Sequence, residues 1–440
     1  MALRSGSTRR DFLQRAAAVS AGAIAFPTLI PASALGRDGV AAPSERIVMG
    51  CIGTGGRGRG LIKMFMDQPD VQLVAVCDVD AAQRQRAVDQ VNERSGHPDC
   101  RSYHDFRELI GCDDIDAVIV ATPDHWHALA TVAAAEAGKD IYCEKPLANT
   151  ITEGRAIVDA VARNQRILQT GSHERSTPSI RFACELVRSG RIGRVHTVRI
   201  NLPDDDKHHR QAKDLDHLPP EVPTPPGFDY DFWLGHTPRV PYTEGRTHFW
   251  WRFNLAYGGG EMTDRGAHVI DIAQLGLGTD TTGPIMFEAK GYRNPESLYD
   301  VFWGYEFVNT YANGVKLIGS TQGPRGLKFE GEDGWIFIAI HGGRLEASPS
   351  SLLDETLGRD AVHLGRSPGH QRNFLDSVKS RREPLAPAEV GHRTASICHL
   401  NNIAMLTGRK LIWDPEAEQV TNCEEANRLL SPTMRKPWTL

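Results

Sequence analysis

The chain has 440 residues, of which 40% are hydrophobic and 24% charged, and its formal net charge is −5 at pH 7. These values exclude a disordered or fibrous chain and fit a globular protein long enough for two domains. Lys and Arg form no dense block beyond the N-terminal segment, so nucleic acid and anionic lipid lack an electrostatic reason to be main partners.

The N-terminal segment has the order of a twin-arginine export signal. Arg9 and Arg10 precede an apolar run, Ala16 to Ile30, that is too short for a membrane span. We expect recognition by the twin-arginine export machinery, cleavage after Ala34, and a periplasmic protein without a membrane span. An uncleaved anchor and a chance arginine pair in a disordered tail are the alternatives. Because residues 1–34 contain four arginines and one aspartate, their removal shifts the formal charge from −5 to −8.

The eight cysteines are scattered and contain no C-x-x-C pair. This argues against a zinc site and against a disulfide-stapled scaffold. Cys51, Cys77 and Cys143 lie in apolar runs typical of buried thiols. His208-His209 occur in a polar, proline-rich stretch, 203–228, with no spacing that would bring metal ligands onto one face. We therefore expect a solvated loop there, and no metal centre.

After a linker, Gly36 to Glu45, strands and helices alternate in the pattern of a parallel α/β domain, residues 45–171. The predicted strands are Arg46–Ile52, Gln72–Cys77, Ala117–Ala121, Asp140–Cys143 and Arg166–Thr170. The predicted helices are Leu61–Met66, Ala81–Arg94, Ala128–Ala137 and Ile151–Asn164.

Residues 172–440 are predicted to form a second α/β domain. An amphipathic helix, Thr177 to Ser189, precedes a strand, Val195–Asn201. Later strands joined by turns indicate an antiparallel sheet. They are Met286–Lys290, Phe302–Tyr311 and Val315–Gly319. Two closing helices, His370–Arg381 and Arg393–Leu406, are expected to brace the assembly.

A G-x-G-x-x-G motif, Gly53 to Gly58, joins the first strand to its helix. Gly53 permits the tight turn, Gly55 lets the backbone approach a pyrophosphate, and Gly58 allows close helix packing. The helix N-terminus then faces the anion. In this context the motif predicts a dinucleotide site rather than a plain glycine turn.

Asp78 ends the second strand, where its carboxylate can accept hydrogen bonds from ribose hydroxyls. This favours NAD over NADP, whose 2′-phosphate the carboxylate would repel, although Arg57 or Arg84 could compensate. Thr122 and Pro123 follow the next strand, at the sheet edge where α/β proteins bind ligands, and are predicted to line the nicotinamide side.

Glu144 and Lys145 end another strand at the same edge. Glu144 is assigned to the cofactor site, and the Lys145 ammonium could polarise a substrate oxygen. In the second domain, Asp264 and His268 are four positions apart and so share a helix face. A histidine held by a carboxylate is a competent base near neutral pH. An ordinary salt bridge and a surface His–Asp pair are the alternatives.

Taken together, the glycine loop, Asp78, the Thr122-Pro123 turn, Lys145 and the Asp264–His268 pair resemble the Gfo/Idh/MocA family of sugar and inositol dehydrogenases. The resemblance covers most of residues 45–410. It implies a Rossmann domain followed by an α/β substrate domain with an open, mainly antiparallel sheet, and a homo-oligomer. By resemblance, Lys145 would be the active-site lysine, Asp264 would orient the substrate hydroxyls and His268 would accept the proton.

The expected function is an NAD(P)-dependent oxidoreductase that acts on a secondary alcohol of a sugar, glycoside or cyclitol. Since free NAD is scarce outside the cytoplasm, the cofactor is expected to stay bound. A redox-neutral NAD-dependent glycosidase or lyase with a 3-keto intermediate is the alternative, and a non-catalytic binding protein the lesser one. His173 and Arg175 are candidate substrate residues because they come just after the fifth predicted strand. Trp250 is a third candidate, since Trp rings stack on sugars, although Trp250 and Trp251 fit a buried core equally well.

Overall fold

The computed structural model describes residues 42–440, so the predicted export signal, 1–34, lies outside the described residues. Residues 42–46 are the described end of a first unit and contain a short 3-10 turn, Pro43–Glu45. Residues 47–440 form a second unit, which holds two sheets. Within the described residues, no helix combines the length and apolar character needed to cross a membrane.

The first sheet has six parallel strands in the order β3-β2-β1-β4-β5-β6. The strands are β1 Ile47–Ile52, β2 Val71–Cys77, β3 Arg101–Tyr103, β4 Ala117–Val120, β5 Asp140–Cys143 and β6 Leu168–Thr170. The helices are α1 Gly56–Met66, α2 Ala81–Ser95, α3 Phe106–Ile110, α4 Asp124–Glu136 and α5 Ile151–Arg163. The strand order reverses direction between the neighbouring strands β1 and β4, so the ligand crevice is expected at their carboxyl ends.

Local sequence explains these elements. All four residues of β4 and of β5 are buried, as expected for central strands covered on both faces. Helix α2 begins where the Asp80 carboxylate accepts the N–H groups of Ala82 and Gln83, and it ends at Gly96 in a left-handed conformation. Strand β3 and helix α3 were not predicted, because elements of three and five residues carry almost no periodicity.

The second sheet has nine strands in the order β13-β12-β11-β7-β10-β9-β8-β14-β15. Only β7 and β10 pair in parallel, so the prediction of an open, mainly antiparallel sheet is confirmed. The helices that follow the first domain are α6 Pro178–Arg188, α7 Lys207–Lys213, α8 Tyr230–Leu234, α9 Glu261–Asp264, α10 Gly266–Leu277, α11 His370–Ser380, α12 Ala388–Thr407 and α13 Glu424–Arg428. The strands are β7 Val195–Asn201, β8 Met286–Tyr292, β9 Trp303–Thr310, β10 Lys316–Ser320, β11 Gly326–Gly331, β12 Trp335–Ala339, β13 Leu345–Ser348, β14 Leu411–Asp414 and β15 Gln419–Val420.

Helix α11 lies against the first domain although it follows the second sheet in the chain. Its Phe374 ring packs edge-on against Phe65 and Tyr142, with both centroids 6.0 Å away. Arg372 adds an ion pair of 2.6 Å to Asp70, which ends the loop after α1. The C-terminal helices therefore tie the two domains together.

The sequence predicted a solvated loop for residues 203–228, but part of this stretch is helical and buried. Residues 207–213 form α7, and His209 is fully buried with its Nε2 3.1 Å from a Glu261 carboxylate oxygen. Two backbone hydrogen bonds then attach this stretch to the first domain. Ala81 N–H donates to the Gly227 carbonyl at 2.9 Å, and Asp229 N–H donates to the Val79 carbonyl at 3.1 Å. We call residues 225–229 the crossing segment.

All eight cysteines are free thiols, and six of them are buried. The preference for buried thiols over disulfides is thereby confirmed.

Candidate active site

A cavity of about 670 Å³ extends from the carboxyl ends of β1 and β4 to helix α10 of the second domain. This volume lies within the usual range of small-molecule sites. Eleven of the fourteen residues predicted for the site line it: Gly53, Gly55, Arg57, Asp78, Thr122, Pro123, Glu144, Lys145, His173, Asp264 and His268. The other three, Gly58, Arg175 and Trp250, do not.

The glycine motif forms a tight turn with an open side toward this cavity. Gly53 has φ of 84°, and a Cβ there would lie 2.6 Å from the Thr122 nitrogen. A Cβ on Gly58 would lie 2.0 Å from the Gly53 carbonyl oxygen, so Gly58 serves the packing of α1 rather than the cavity wall. Gly55 has open space around its Cβ position. The turn thus leaves room for a ligand at the N-terminus of α1.

The residues around this turn fit a dinucleotide. The Asp78 carboxylate accepts hydrogen bonds from Thr54 N–H at 2.7 Å and from Asp80 N–H at 3.0 Å. The Thr54 hydroxyl donates to it as well, at 3.0 Å. Since a carboxylate offers about four acceptor positions, one remains for a ribose hydroxyl. The Thr122 hydroxyl oxygen is buried and has no hydrogen-bond partner among the described residues. A bound ligand would satisfy it.

The two arginines considered for a 2′-phosphate, Arg57 and Arg84, both donate to protein groups. Arg57 Nε donates to a Glu144 carboxylate oxygen at 2.6 Å, on the side of the cavity that holds Lys145. Arg84 Nη1 donates to the backbone carbonyl of Asp78 at 2.5 Å. The ribose side is therefore dominated by the Asp78 carboxylate, which agrees with NAD.

Lys145 reaches the cavity from the end of β5 and is held by Asp264 of the second domain. Its ammonium donates to a carboxylate oxygen of Asp264 at 2.6 Å and to the Asp264 carbonyl at 2.8 Å. Arg252 Nε lies 3.4 Å from the other carboxylate oxygen. Burial disfavours the ionised carboxyl, but Lys145 and Arg252 outweigh burial and hold the pKa of Asp264 well below its usual range. Asp264 is thus an anion that positions two cations.

His268 is buried, 5% exposed, and lines the same cavity. Burial, reinforced by the charge of Lys145, lowers the pKa of its imidazole well below the usual value. Its Nδ1 has no hydrogen-bond partner within residues 42–440. The expectation that Asp264 holds His268 is wrong, because the Asp264 carboxylate accepts from the Lys145 ammonium at 2.6 Å instead.

Two of the candidate substrate residues belong to the core. Arg175 is 4% exposed and forms ion pairs of 2.7 Å with Asp271 and with Asp280, inside the second domain. Trp250 stacks on Tyr299 with centroids 5.6 Å apart, in a cluster below the cavity wall. Arg175 was predicted from its position after a strand and Trp250 from its residue type, and neither gives side-chain direction. Trp251, next to Trp250, lines the cavity instead.

Two buried polar residues at the start of α4, Asp124 and His127, had no predicted role. Asp124 lines the cavity, and burial raises the pKa of its carboxyl well above the usual value, with a further contribution from the Asp264 charge. Lys145 opposes this shift but does not overcome it. The His127 ring nitrogens lie 3.0 Å from the Thr122 carbonyl and 2.7 Å from the Pro146 carbonyl. His127 thus connects the turn after β4 to the turn after β5. Their place in the first turn of α4, directly after Pro123, was the available signal.

Aromatic rings form part of the cavity wall. Phe249 is 48% exposed, and the guanidinium of Arg252 lies 4.4 Å from its ring centroid and 4.9 Å from that of Trp251. Phe228 of the crossing segment also lines the cavity. Such faces suit the C–H surfaces of sugars.

Two family models match the chain, one for each domain. Residues 47–172 match the model described as "Oxidoreductase family, NAD-binding Rossmann fold", and residues 179–440 match "Oxidoreductase family, C-terminal alpha/beta domain". The chain belongs to the Gfo/Idh/MocA oxidoreductase family. NAD is accordingly the cofactor of its first domain, as the sequence predicted.

Among curated relatives, "Glycosyl hydrolase family 109 protein 1" of Shewanella sp. (strain MR-4) is 37% identical over 172 residues. That match covers 36% of this Gfo/Idh/MocA chain and 38% of the relative, so the chain spans well under half of its length. Levoglucosan dehydrogenase of Pseudarthrobacter phenanthrenivorans is 28% identical over 264 residues, which are 55% of this chain and 57% of that protein.

Solved structures resemble the whole two-domain arrangement. The aldose-aldose oxidoreductase of Caulobacter crescentus, complexed with glycerol, superposes with a TM-score of 0.60 at 22% sequence identity. The superposition covers 83% of this chain and 99% of that chain. At this identity the likeness supports the family fold.

Proposed function

We propose that this protein is an NAD-dependent oxidoreductase that oxidises a secondary alcohol of a sugar, glycoside or cyclitol. The observation that carries the proposal is that Lys145, from the first domain, and His268, from the second, line one cavity with the glycine turn. The relatives named as a levoglucosan dehydrogenase and an aldose-aldose oxidoreductase support a carbohydrate substrate.

In this proposal the Lys145 ammonium, oriented by Asp264, binds the oxygen of the reacting alcohol. An imidazole nitrogen of His268, kept neutral by burial, accepts the hydroxyl proton. The aromatic wall at Phe249 and Trp251 excludes water and orients the ring of the substrate. When bound beside these groups, NAD supplies the hydride acceptor. Positioning by both domains then provides much of the rate acceleration.

The cofactor is proposed to remain bound between turnovers. The crossing segment supports this, because it is hydrogen-bonded to Val79 and Ala81, which closely follow Asp78 in the chain. Native mass spectrometry of the purified protein tests retention. One NAD per chain after extensive dialysis is expected, and a nucleotide-free protein that regains NAD within seconds would contradict it.

The test of activity is a panel of aldoses, glycosides and cyclitols, followed by the nicotinamide absorbance band in the near ultraviolet. A band that rises on addition of one class and persists supports the oxidoreductase. Lys145→Met should abolish the rise while NAD stays bound. No rise with any class, with NAD present in the protein, would contradict the proposal.

A redox-neutral glycosidase is the second candidate, favoured by the 37% identity to a glycosyl hydrolase family 109 protein. Oxidation at C3 would acidify the hydrogen at C2, after which elimination of the aglycone, addition of water and re-reduction cleave the bond without net oxidation. Release of aglycone from an aryl glycoside without a lasting absorbance rise would favour this candidate. The same assay therefore separates the two.

We also propose that residues 1–34 act as a twin-arginine signal and that the mature protein is a periplasmic homo-oligomer. The support is the order of the N-terminal segments in the sequence and, for the oligomer, the open sheet of the second domain. Fractionation of cells that express the full chain, with Arg9 and Arg10 changed to Lys as the comparison, tests export. Light scattering of the mature protein tests the oligomer.

A further inference from the structure

A group of two histidines and one glutamate lies at the substrate end of the cavity. His173, Glu174 and His341, here called the His–Glu cluster, each offer one ligand atom within 4.8 Å of the others. A Glu174 carboxylate oxygen lies 3.0 Å from His341 Nδ1 and 4.0 Å from His173 Nδ1. The sequence concealed this group, because His341 lies 167 positions after Glu174.

The fold holds these side chains in place from two sides. His173 and Glu174 belong to a 3-10 turn directly after β6. His341 lies in the turn between β12 and β13 with φ of 65°, a left-handed conformation that is uncommon for a residue with a side chain. Its backbone N–H also donates to the Glu174 carboxylate, at 3.0 Å. The Glu174 carboxylate thus holds the turn that contains His341 at the cavity.

The donor set suits a cation. Two imidazoles and one carboxylate are ligand types that divalent transition metals take in proteins. Both histidines and the glutamate lie in one group, with His173 and His341 lining the cavity.

The distances suit one ion as well. Ligand bonds of about 2.0–2.2 Å place neighbouring donor atoms roughly 3–3.5 Å apart. The Glu174–His341 separation of 3.0 Å matches this range, whereas the Glu174–His173 separation of 4.0 Å, in a group whose ligand atoms all lie within 4.8 Å of one another, requires the His173 side chain to move inward. His173 and His341 both line the cavity, and their ring centroids lie 4.8 and 5.1 Å from that of His268. The Nδ1 of His268, beside these two rings, is buried and has no hydrogen-bond partner among the described residues.

We propose that the His–Glu cluster binds one divalent transition-metal ion, with its open coordination positions directed into the cavity. Two histidines and a carboxylate leave such positions free for oxygen ligands. Under the proposed function, and only in this respect resting on it, these positions accept neighbouring hydroxyls of the carbohydrate. The ion would then fix the substrate beside His268 and Lys145.

A second group with similar composition, Asp206, His208 and His209, provides the comparison. Asp206 is already paired with Arg265 at 2.9 Å and with Arg325 at 3.1 Å. Two guanidinium groups on the carboxylate repel a metal ion. His208→Ala is therefore a matched control that removes a histidine from a cluster not expected to bind metal.

The experiment uses the mature protein, stripped with EDTA, desalted and titrated with Co²⁺ and with Zn²⁺. Calorimetry gives the stoichiometry and Kd, and the visible absorption of Co²⁺ reports imidazole coordination without any enzymatic reaction. One ion per chain is expected. His341→Ala and Glu174→Gln should weaken binding by more than about tenfold, while His208→Ala binds like the wild type.

Several outcomes would overturn the proposal: no binding at millimolar metal, unchanged affinity in both cluster variants, or loss of binding in His208→Ala. Thermal melts of each variant show whether it is folded, and Glu174→Gln keeps the size of the side chain should His341→Ala disturb the turn. Metal binding without sugar oxidation would retain the site and refute the proposed function. Sugar oxidation unaffected by EDTA, with no bound metal, would do the reverse.

Discussion

The Lys145 ammonium and the Asp264 carboxylate form a 2.6 Å ion pair that joins the turn after β5 to the end of α9. Because each residue belongs to a different domain, the reactive end of the cavity exists only when the two domains are in contact. Asp264 accepts on its carbonyl as well, at 2.8 Å, so the lysine is fixed by two bonds. A lysine held in this way is preorganised for a substrate oxygen.

Lys145→Met should reduce kcat/KM on the best substrate by roughly 10²–10³-fold, the usual cost of removing one preorganised donor. Nucleotide binding should not change, because Lys145 lies on the substrate side. Steady-state kinetics and a fluorescence titration with NAD measure the two effects. Lys63→Met, on the exposed face of α1, is the matched control. A variant within threefold of wild-type activity would remove Lys145 from the mechanism.

Asp264→Asn should act through Lys145 and not through His268. In a double-mutant cycle on kcat/KM we expect a coupling energy of about 0.5–3 kcal/mol between Asp264→Asn and Lys145→Met. The cycle with His268→Gln should give a smaller coupling. A larger coupling energy with His268→Gln than with Lys145→Met would instead support the Asp264–His268 pair that the sequence suggested.

Asp78→Asn should weaken NAD binding by roughly 10–100-fold, because hydrogen bonds to a charged group contribute about 1.5–3 kcal/mol. NADP should lose less, since the repulsion of its 2′-phosphate is relieved. Titration of both nucleotides into stripped protein measures the ratio. Asp89→Asn, an exposed carboxylate on α2, should leave both constants unchanged.

Arg175→Met should destabilise the protein by about 3–5 kcal/mol, because it leaves the fully buried Asp271 carboxylate without its partner. Denaturant unfolding measures this change. Arg194→Ala, which breaks an exposed pair with Glu332, should cost about 1 kcal/mol or less. Folded Arg175→Met should keep its KM, and a large rise in KM would instead support direct contact with substrate.

Asp70 should make stability depend on acid pH. Burial alone would raise the pKa of this carboxyl, but hydrogen bonds from Arg372 and Lys379 prevail and lower it from 3.8 to about 2. A depressed folded-state pKa gives stability that is complete above the unfolded value and is lost as pH falls toward about 2. Compared with wild type, Asp70→Asn should therefore show a flatter unfolding free energy between these values. Parallel curves would exclude Asp70 as the source.

The elements with strong local signals were predictable from the sequence. The glycine motif at Gly53 and the acidic residue at the end of β2 each occupy a fixed place in a parallel α/β unit, and eleven predicted residues do line the cavity. Side-chain direction was not predictable. Arg175 follows a strand at the right edge but turns inward to Asp271, and the Asp264 carboxylate pairs with Lys145 rather than with His268. The proximity of His341 to His173 was not predictable either, since it arises from the folding of the second sheet and no local sequence pattern connects the two residues.

Helix α11 completes the apolar layer beneath the first sheet, although it begins 200 positions after β6 ends in the chain. During synthesis the faces of Phe65 and Tyr142 therefore stay uncovered by α11 until residues 370–380 have been made. We expect that a chain truncated before residue 370 leaves this apolar layer incomplete and unfolds at a lower temperature than the full chain.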